Sequence, residues 1–461
     1  MDKAQWVSSL TEAVKLTPLD FTAPQGYIPI ILGFHFPGSP LEATAHVKGR
    51  LARTLAKWPC LGGQFIAGGR GISPKLIYSK NGPTGLDAFP NEVFDWKGLH
   101  TNEFIWDEFS QLVAERGPAI AMDKDILCLL PEKIPGPGEG CHPVTLRVNF
   151  TKDRRGILLG LSLHHVIMDG AGVWDFLTCF AGLDAPDAGS DMVFFDRFLS
   201  QKGKFAEYNF DESNVPQPDP AAPPGVARII SITASVIDKL HRDASKIFKD
   251  SEEYDDSAYV SKTDISTFAP ESILSRNTRQ SLTSAEPYLG NAFLRVTSKA
   301  PAYMICACAR APPFPFLDPD HIAFVAYEIR KAILSLNDIE HLRAHLSIAA
   351  NAAHPPDVDA TVRRTIDRGV AGVDSSSWLG LGADLNFKIP GTEEHEDGGK
   401  PAFIRRAYAP FPGAMNLMPR RGGTKGDADW EVWVALREND MERLVGKMVE
   451  GGVVEGGVVE G

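Results

Sequence analysis

The sequence lacks the long apolar runs that mark membrane and secreted proteins. No stretch approaches the ~18 consecutive apolar residues that a transmembrane helix needs. The N-terminal stretch MDKAQWVSSLTEAVKLTPLD mixes polar, charged and apolar residues and contains no apolar core of the kind that defines a signal peptide. We therefore expect a soluble, cytoplasmic protein with no membrane partner.

Cysteine is also scarce, and its spacing fits neither a disulfide framework nor a zinc site. The 461 residues include six cysteines, with no CxxC pair among them. Most lie among apolar neighbours, which favours buried free thiols over disulfides and agrees with a reducing compartment. We predict no metal site in this chain, and free thiols at Cys60, Cys128, Cys141, Cys179, Cys306 and Cys308.

The chain has fewer basic than acidic residues, which argues against a nucleic-acid partner. The chain has 47 Lys and Arg against 59 Asp and Glu, a formal net charge of −12. Nucleic-acid binding needs basic patches, so we expect no nucleic-acid partner. Apolar residues make up 43% and charged residues 23%, as in ordinary globular proteins. The length suffices for two or three domains with cores of their own.

One stretch, Ile157 to Phe180 (ILLGLSLHHVIMDGAGVWDFLTCF), changes its apolar period halfway. In the first half alternate residues are apolar as far as His165, which is typical of a buried strand. After Gly170 the apolar residues follow the steps of a helical stripe. The turn between the predicted strand and helix carries His165-Val-Ile-Met-Asp169-Gly170, an HxxxDG pattern.

The HxxxDG pattern allows a functional and a purely structural interpretation. Histidine titrates near neutral pH, at roughly 6.5 in model peptides, and is therefore suited to moving protons. A histidine at a strand end is, however, often a satisfied polar residue, and Asp169 could simply cap the following helix. A six-residue pattern also recurs by chance. The pattern alone leaves both interpretations open.

Other elements can be placed from pattern alone. Tyr27 to Phe36 predicts a strand, and Ser39 with Pro40 predicts the start of a helix. The apolar face of that helix is predicted at Leu41, Ala45, Leu51, Leu55 and Trp58. Further strands are predicted at Leu76–Tyr78, Val144–Phe150, Arg228–Thr233, Leu385–Phe387, Phe403–Tyr408, Met415–Met418 and Val432–Leu436. Asn439 and Asp440 are candidate caps of a last short helix at Met441–Leu444.

Composition also suggests domain boundaries. Residues 201–225 are polar and proline-rich and predict a linker between a first domain, 1–200, and a second, 226–450. Residues 451–461 repeat the five letters GGVVE. Their apolar content is too low to order eleven residues on its own, so we expect a mobile tail.

The order of several strings resembles the BAHD-type acyl-CoA-dependent acyltransferases, in particular the fungal branch near the trichothecene O-acetyltransferases. The strings are KLTPLD with YIPIILGFHFP, LARTLAKWPCLGGQF, LSLHHVIMDGAGVWDFL, PYLGNAF, SSSWLGLGADLNF, GKPAFIRRAYAPFPGAMNLMPRR and WEVWVALRENDMERL. The resemblance implies an α/β fold of two similar chloramphenicol-acetyltransferase-like domains with mixed sheets and a channel between them. The proline-rich segment stands where the crossover of that family runs.

The resemblance also implies roles for the residues of the motif. His165 would be the general base that takes the proton of an alcohol as its oxygen attacks a thioester, and would then protonate the departing CoA sulfur. No acyl-enzyme is required, so no Ser or Cys nucleophile is sought. Asp169 would brace the motif, usually through an arginine, and Gly170 would permit tight entry into the helix. His164, of opposite strand parity, should face away from the site.

A second family signature, DFGWG, is largely lost here. The matching place is Asp384-Leu-Asn386-Phe387-Lys388, where only Asn-Phe survives and Lys388 replaces the first glycine. The possible residues of the CoA or oxyanion side are Ser376, Ser377, Trp378 and Asn386. For the serines, helix capping is the competing interpretation. Residues 262–318 and the repeat tail are also atypical of the family.

Three functions remain open from the sequence. The first is O-acyl transfer, of an acetyl or similar group, from acyl-CoA to a hydroxyl of a fungal secondary metabolite of the mycotoxin kind, by a monomer with acyl-CoA as co-substrate and no permanently bound cofactor. The second is acyl transfer to an amine, because the motif, which resembles that of peptide-synthetase condensation domains and carnitine-type acyltransferases, does not choose between an amine and an alcohol. The third is a catalytically impaired paralogue that binds a small ligand.

Overall fold

Mixed β-sheets form the framework of the protein in its computed structural model. The structure describes residues 12–16, 26–68, 74–79, 91–99, 104–131, 135–136, 138–183, 225–249, 259–266, 291–294, 305–308, 322–327, 329–330, 374–410, 412–454 and 458–459. Within these ranges, no helix has both the length and the apolarity to cross a bilayer.

The strands are numbered in chain order: β1 (Glu12–Lys15), β2 (Tyr27–His35), β3 (Gln64–Ile66), β4 (Lys75–Tyr78), β5 (Phe94–Gly98), β6 (Gly140–Cys141), β7 (Val144–Phe150), β8 (Gly156–His164), β9 (Gly225–Ile232), β10 (Asn291–Leu294), β11 (Ile305–Cys308), β12 (Asp374–Ser377), β13 (Phe403–Arg406), β14 (Ala414–Leu417), β15 (Trp430–Arg437) and β16 (Val458–Val459). The α-helices are α1 (Pro40–Lys57), α2 (Phe109–Ala114), α3 (Lys124–Leu127), α4 (Gly170–Phe180), α5 (Ala234–Lys249) and α6 (Glu438–Glu450). Short helical stretches also occur at 262–266, 322–327 and 329–330.

The chain divides into two compact units. The first comprises Met1–Phe195, Thr297–Tyr303 and Leu381–Tyr408, and the second comprises Asp196–Val296, Met304–Gly380 and Ala409–Gly461. Residues 381–408, which we predicted within a continuous second domain, belong to the first unit because β13 pairs with the edge of β2. Residues 201–224 of the predicted linker lie outside the described residues.

Within the described residues, the first unit contains two sheets. A five-stranded mixed sheet has the order β13-β2-β8-β7-β5, in which β5 and β7 run parallel and the other pairs antiparallel. A four-stranded sheet has the order β1-β4-β3-β6. One face of the five-stranded sheet is buried by α2, α3 and their loops, through side chains that include Phe109, Leu112, Leu127 and Leu158.

The second unit contains a seven-stranded mixed sheet with the order β11-β10-β12-β14-β15-β9-β16. Apolar residues of β9, β14 and β15 pack in one core against α5, the stretches 322–327 and 329–330, and α6. Of the atypical region 262–318, the structure describes 262–266 and the antiparallel pair β10 and β11.

Helix α1 starts at Pro40 after Ser39, as predicted, but its buried face differs from the prediction. Leu41 is 79% exposed, whereas Ala43, Val47, Leu51 and Leu55 are fully buried. These four residues recur every four positions and therefore lie along one stripe of the helix. The prediction assigned Leu41 and Ala45 to the wrong side because it counted apolar residues without knowing which side of the helix is buried.

Two predictions near the C-terminal part of the chain are also wrong. Leu385–Phe387 forms no strand: Phe387 is buried because its ring packs on Phe34 and Phe180, at 5.4 and 6.0 Å between centroids. The last helix is longer than predicted, so that Asn439 and Asp440 lie inside its first turn and Arg437 occupies the N-cap.

The repeat tail is ordered where the structure describes it, contrary to our expectation of mobility. Gly452 has a left-handed φ of 65°, and the amide N–H groups of Gly452 and Val453 donate to the carbonyls of Val449 and Met448, at 3.0 and 2.9 Å. This is a Schellman motif, which ends α6 and turns the chain inward. Val453 and Val454 are therefore buried in the core, and β16 pairs with β9.

Candidate active site

Strand β8 brings the HxxxDG turn to the end of a buried sheet. All nine of its residues are buried between β2 and β7, because apolar side chains occupy both of its faces. Gly160 lies so close to α3 that a Cβ at this position would come within 1.9 Å of the Leu127 carbonyl oxygen. The absence of a side chain there lets the backbone of α3 rest directly on the strand.

Backbone hydrogen bonds hold the turn after β8 in place. The amide of His165 donates to the carbonyl of Gly26 at 2.7 Å, and the amides of Ile167 and Met168 donate to the carbonyl of His164 at 2.9 and 3.1 Å. Val166, Ile167 and Met168 are at most 4% exposed. In the stretch 164–169 only His165 keeps partial exposure. The motif thus presents one accessible imidazole on an otherwise buried turn.

Asp169 caps helix α4, as the structural interpretation predicted. Its carboxylate Oδ1 accepts the amide N–H of Gly172 at 2.9 Å, and its carbonyl accepts the amide of Val173 at 2.8 Å. Asp169 is 4% exposed, and Gly170 is the first residue of the helix. The cap satisfies an N–H that has no partner within the helix and thereby fixes where α4 starts behind His165.

His164 occupies a different environment from His165, as its strand parity predicted. Its ring lies 4.4 Å from the ring of Phe65 and 5.1 Å from that of Tyr27, between centroids, and the residue is 2% exposed. Burial first, and the neighbouring His165 second, lower the pKa of His164 to about 3. His164 is therefore neutral at physiological pH and too buried to meet a substrate. Tyr27, whose hydroxyl donates to the His142 carbonyl at 2.6 Å, helps to enclose it.

The remnant of the second signature forms a loop of the first unit. The Asn386 amide donates from Nδ2 to the Gly398 carbonyl at 2.6 Å, and its Oδ1 accepts the amide N–H of Lys388 at 2.7 Å. Lys388 has a φ of 51°, in the left-handed region that favours glycine. The backbone conformation suited to glycine is kept here, although the glycine itself is replaced.

The remaining predicted residues, Ser376, Ser377 and Trp378, lie in the second unit. The two serines belong to β12, which pairs in parallel with β14 and β10, so the interpretation as helix caps is wrong. Ser377 is exposed, Ser376 is half-buried, and Trp378 is 8% exposed with its amide bonded to the Leu417 carbonyl at 2.8 Å. His165, Asp169 and Gly170 thus share one turn, and Asn386 lies in the same unit as that turn.

Sequence reasoning missed Gly26 and Tyr27 as the frame of the motif. The strand starting at Tyr27 was predicted, but its pairing with β8, in which Tyr27 lies opposite His164, was not. No local pattern in the sequence encodes such a pairing between strands more than a hundred residues apart. Cys60, Cys128, Cys141 and Cys179 are free thiols, as predicted.

Known structures show what the fold resembles. The sequence matches no family profile and no curated protein. The crystal structure of F. sporotrichioides TRI101 complexed with coenzyme A and T-2 superposes with a TM-score of 0.71 at 17% identity, covering 98% of this chain and all of that one. The chain has the fold of TRI101.

Two further structures share this TRI101 fold more distantly. Vinorine synthase superposes with a TM-score of 0.56 at 15% identity, over 98% of this chain and 95% of that one. The first condensation domain of the calcium-dependent antibiotic synthetase also superposes with a TM-score of 0.56, at 14% identity and 98% coverage of both chains. The predicted fold class, two chloramphenicol-acetyltransferase-like domains with mixed sheets, is therefore confirmed, as is the resemblance to BAHD-type proteins at the level of fold.

Proposed function

We propose that this protein is an acyl-CoA-dependent O-acyltransferase that acts on a hydroxyl of a secondary metabolite, with His165 as its general base. The observation that carries the proposal is the turn itself, in which His165 alone of residues 164–169 keeps partial exposure. The proposal is supported by the shared fold of F. sporotrichioides TRI101, whose structure contains coenzyme A and T-2.

Acyl transfer to an alcohol needs a general base. A neutral hydroxyl is a weak nucleophile, so its proton must leave as the oxygen attacks the thioester carbonyl. The imidazole of His165 takes that proton, the carbon–sulfur bond breaks, and the proton passes to the departing CoA thiolate. The products are an ester and CoA, and no covalent enzyme intermediate forms. The backbone bond from His165 to Gly26 and the buried residues that follow hold the imidazole for this transfer.

The other predicted residues take supporting places in the proposal. Asp169 and Gly170 set the start of α4 and act by positioning. Ser376, Ser377 and Trp378 stay candidates for the CoA side, Ser377 being the exposed hydroxyl. Asn386, by contrast, bonds to Gly398 beside Asp397, which lies near His35 at the end of β2 far from the HxxxDG turn, so we exclude it as an oxyanion donor beside His165. We further expect a monomer located in the cytoplasm.

The first test is turnover by the purified protein. Acetyl-CoA and a panel of hydroxylated terpenoids, with trichothecenes included, are incubated with the enzyme, and both free CoA thiol and the mass of each acceptor are measured. We expect stoichiometric thiol release and acetylation of at least one alcohol. His165→Ala should lower the rate by roughly 10²–10⁴-fold, the usual contribution of general-base catalysis.

The matched control is His241→Gln, which replaces a half-buried histidine of α5 in the second unit that bonds to the Val260 carbonyl. This variant should keep wild-type turnover. Undiminished acetylation by His165→Ala would remove His165 from its role. Acetylation of amines but not of alcohols in the same panel would favour N-acyl transfer, which the likeness to a condensation domain also allows. Binding of acetyl-CoA with no thiol released would favour the impaired paralogue.

A further inference from the structure

Two histidines and one aspartate meet in the first unit, far from the HxxxDG turn. His35 is the last residue of β2, and His395 and Asp397 belong to the loop before β13. The Nδ1 atom of His395 lies 3.1 Å from Oδ2 of Asp397, and Nε2 of His35 lies 3.8 Å from the same oxygen. Candidate ligand atoms of all three side chains fall within 4.8 Å of one another.

The three side chains are held by the fold. The ring of His35 packs edge-on against Phe109 at 5.0 Å and is stacked on the ring of His395 at 3.6 Å. A tight turn puts His395 beside Asp397, since the amide of Gly398 donates to the His395 carbonyl at 2.8 Å. Asn386 secures that turn through the Gly398 carbonyl.

We propose that His35, His395 and Asp397 form a binding site for a divalent transition-metal ion of the Zn²⁺ class. Bonds of about 2.0–2.1 Å to a tetrahedral ion place neighbouring ligand atoms about 3.3 Å apart. The two distances to Asp397 bracket this value. Two imidazoles with one carboxylate suit Zn²⁺, Co²⁺, Ni²⁺ or Cu²⁺ better than Mg²⁺ or Ca²⁺, which prefer oxygen ligands.

Local charge favours a cation at this place. The loop reads Glu393-Glu394-His395-Glu396-Asp397, so four acidic residues flank one histidine in sequence, and the charges of Glu396 and Asp397 both act on His35. The side chains of His35, Asp397 and His395 are 21%, 16% and 34% exposed, so an ion can reach them from solvent. Binding requires the stacked rings to open until an in-plane nitrogen lone pair of each faces the ion, and the more exposed His395 has room to turn.

The site has no part in the proposed acyl transfer. Residues Tyr27 and His35 are the two ends of β2, and eight steps of about 3.3 Å separate them by about 26 Å. Tyr27 lies opposite His164, next to the candidate base, whereas His35 lies opposite Gly156. A bound ion would fasten the far end of β2 to the 393–397 loop and stabilise the first unit.

The test is titration of chelator-treated, full-length protein with CoCl₂ and then with ZnCl₂. We expect one equivalent of Co²⁺ to bind with a visible ligand-field spectrum, Zn²⁺ to displace it, and Zn²⁺ to raise the Tm. His395→Ala and Asp397→Asn both lie in a surface loop, and each removes a metal ligand. Each should lower the affinity for Co²⁺ and Zn²⁺ by more than roughly 100-fold, because loss of a residue that only supports a ligand already costs roughly 10–100-fold.

Glu394→Gln is the matched control, because it removes one charge of the same loop but none of the three ligands; it should keep the wild-type stoichiometry and spectrum. The proposal is overturned if wild-type protein binds no Co²⁺, if His395→Ala binds as tightly as wild type, or if a thiolate-to-cobalt band assigns binding to a cysteine. All readouts are of metal binding and stability, so a negative result leaves the acyltransferase proposal unaffected.

Discussion

Two neighbouring histidines of one motif differ completely in environment. His164 is enclosed by Tyr27 and Phe65, while His165 keeps partial exposure. Strand geometry is the cause, because successive side chains of a strand emerge on opposite faces. Burial makes the charged form of His164 costly, which argues against it as a second base and leaves His165 as the proposed one.

The low pKa of His164 predicts how stability depends on pH. Between about pH 3 and 6.5 the unfolded chain binds a proton at this site that the folded chain excludes, so stability falls as the pH drops through this range. We expect His164→Phe, which keeps an aromatic ring between Tyr27 and Phe65, to reduce this dependence. When the pH is lowered from 7 to 5, the free energy of unfolding should fall in both proteins. The fall should be smaller in the variant than in wild type, by up to roughly 2 kcal/mol.

The measurement is urea unfolding of both proteins at several pH values. If the two free energies of unfolding fall in parallel as the pH is lowered, His164 is protonated in the folded protein as readily as in the unfolded chain, and the assignment of a buried neutral imidazole fails.

Lys388 adopts a backbone conformation that suits glycine better. A left-handed φ costs a non-glycine residue roughly 1–2 kcal/mol, and replacing Lys388 by glycine removes this cost. The replacement also costs about 0.5–1 kcal/mol, because glycine has more conformational freedom in the unfolded chain. We predict that Lys388→Gly is neutral or stabilises by up to about 1.5 kcal/mol in thermal or urea unfolding. Lys400→Gly, in the same loop without a positive φ, should instead cost about 0.4–1 kcal/mol. Equal losses in both variants would contradict the argument.

Strand β8, the turn and α4 act as one element that presents His165. The strand supplies rigidity through burial on both faces, and the cap from Asp169 sets the first turn of the helix. Because the turn residues after His165 are buried, the backbone cannot shift without moving Val166 to Met168 out of the core. The position of the imidazole therefore depends on packing along the whole element.

The cap on α4 can be tested separately from the charge of its carboxylate. Asp169→Ala removes the acceptor for the Gly172 amide and should lower the free energy of unfolding by about 0.5–2 kcal/mol. Asp169→Asn keeps an oxygen in place, and Asn is as good an N-cap as Asp, so we expect a clearly smaller loss. Urea unfolding of the three proteins is the measurement. An Asn variant as unstable as the Ala variant would show that the negative charge, not the cap, is what the fold needs.

At the level of the whole chain, segments distant in sequence complete each unit. Residues 381–408 return to the first unit, where β13 covers the edge of β2. In the second unit the repeat tail closes the core beside α6 and adds β16 to the edge of the sheet. A sheet edge left open would be a site for aggregation, so both additions protect an edge.

The buried tail predicts a graded effect of truncation. Deleting residues 453–461 removes Val453 and Val454 from the core, and each buried valine contributes on the order of 1.5–3 kcal/mol at most. Deleting 455–461 keeps both valines and removes only the short strand β16. We expect the longer deletion to lower the midpoint of urea unfolding much more than the shorter one. Equal midpoints for the two truncated proteins would mean that these valines do not belong to the core.

Elements with a strong local period were predictable, and elements set by distant contacts were not. The strands β2, β7 and β8, the starts of α1 and α4, and the HxxxDG turn all follow from the spacing of apolar residues and from capping residues. The buried side of α1, the loop around Asn386 and the order in the tail were missed. In each of these the deciding partner, such as Phe34 for Phe387, lies far away in the sequence.

The family resemblance of the sequence was thus enough for the class of fold, and local pattern was enough for the free thiols at Cys60, Cys128, Cys141 and Cys179 and for the motif that holds the candidate base. Tertiary structure decided which of two adjacent histidines is accessible, where residues 381–408 belong, and that His35 meets His395 and Asp397. The physical reason is that period and capping act over a few residues along the chain. Burial, strand pairing and the meeting of side chains depend on neighbours that only the folded chain brings together.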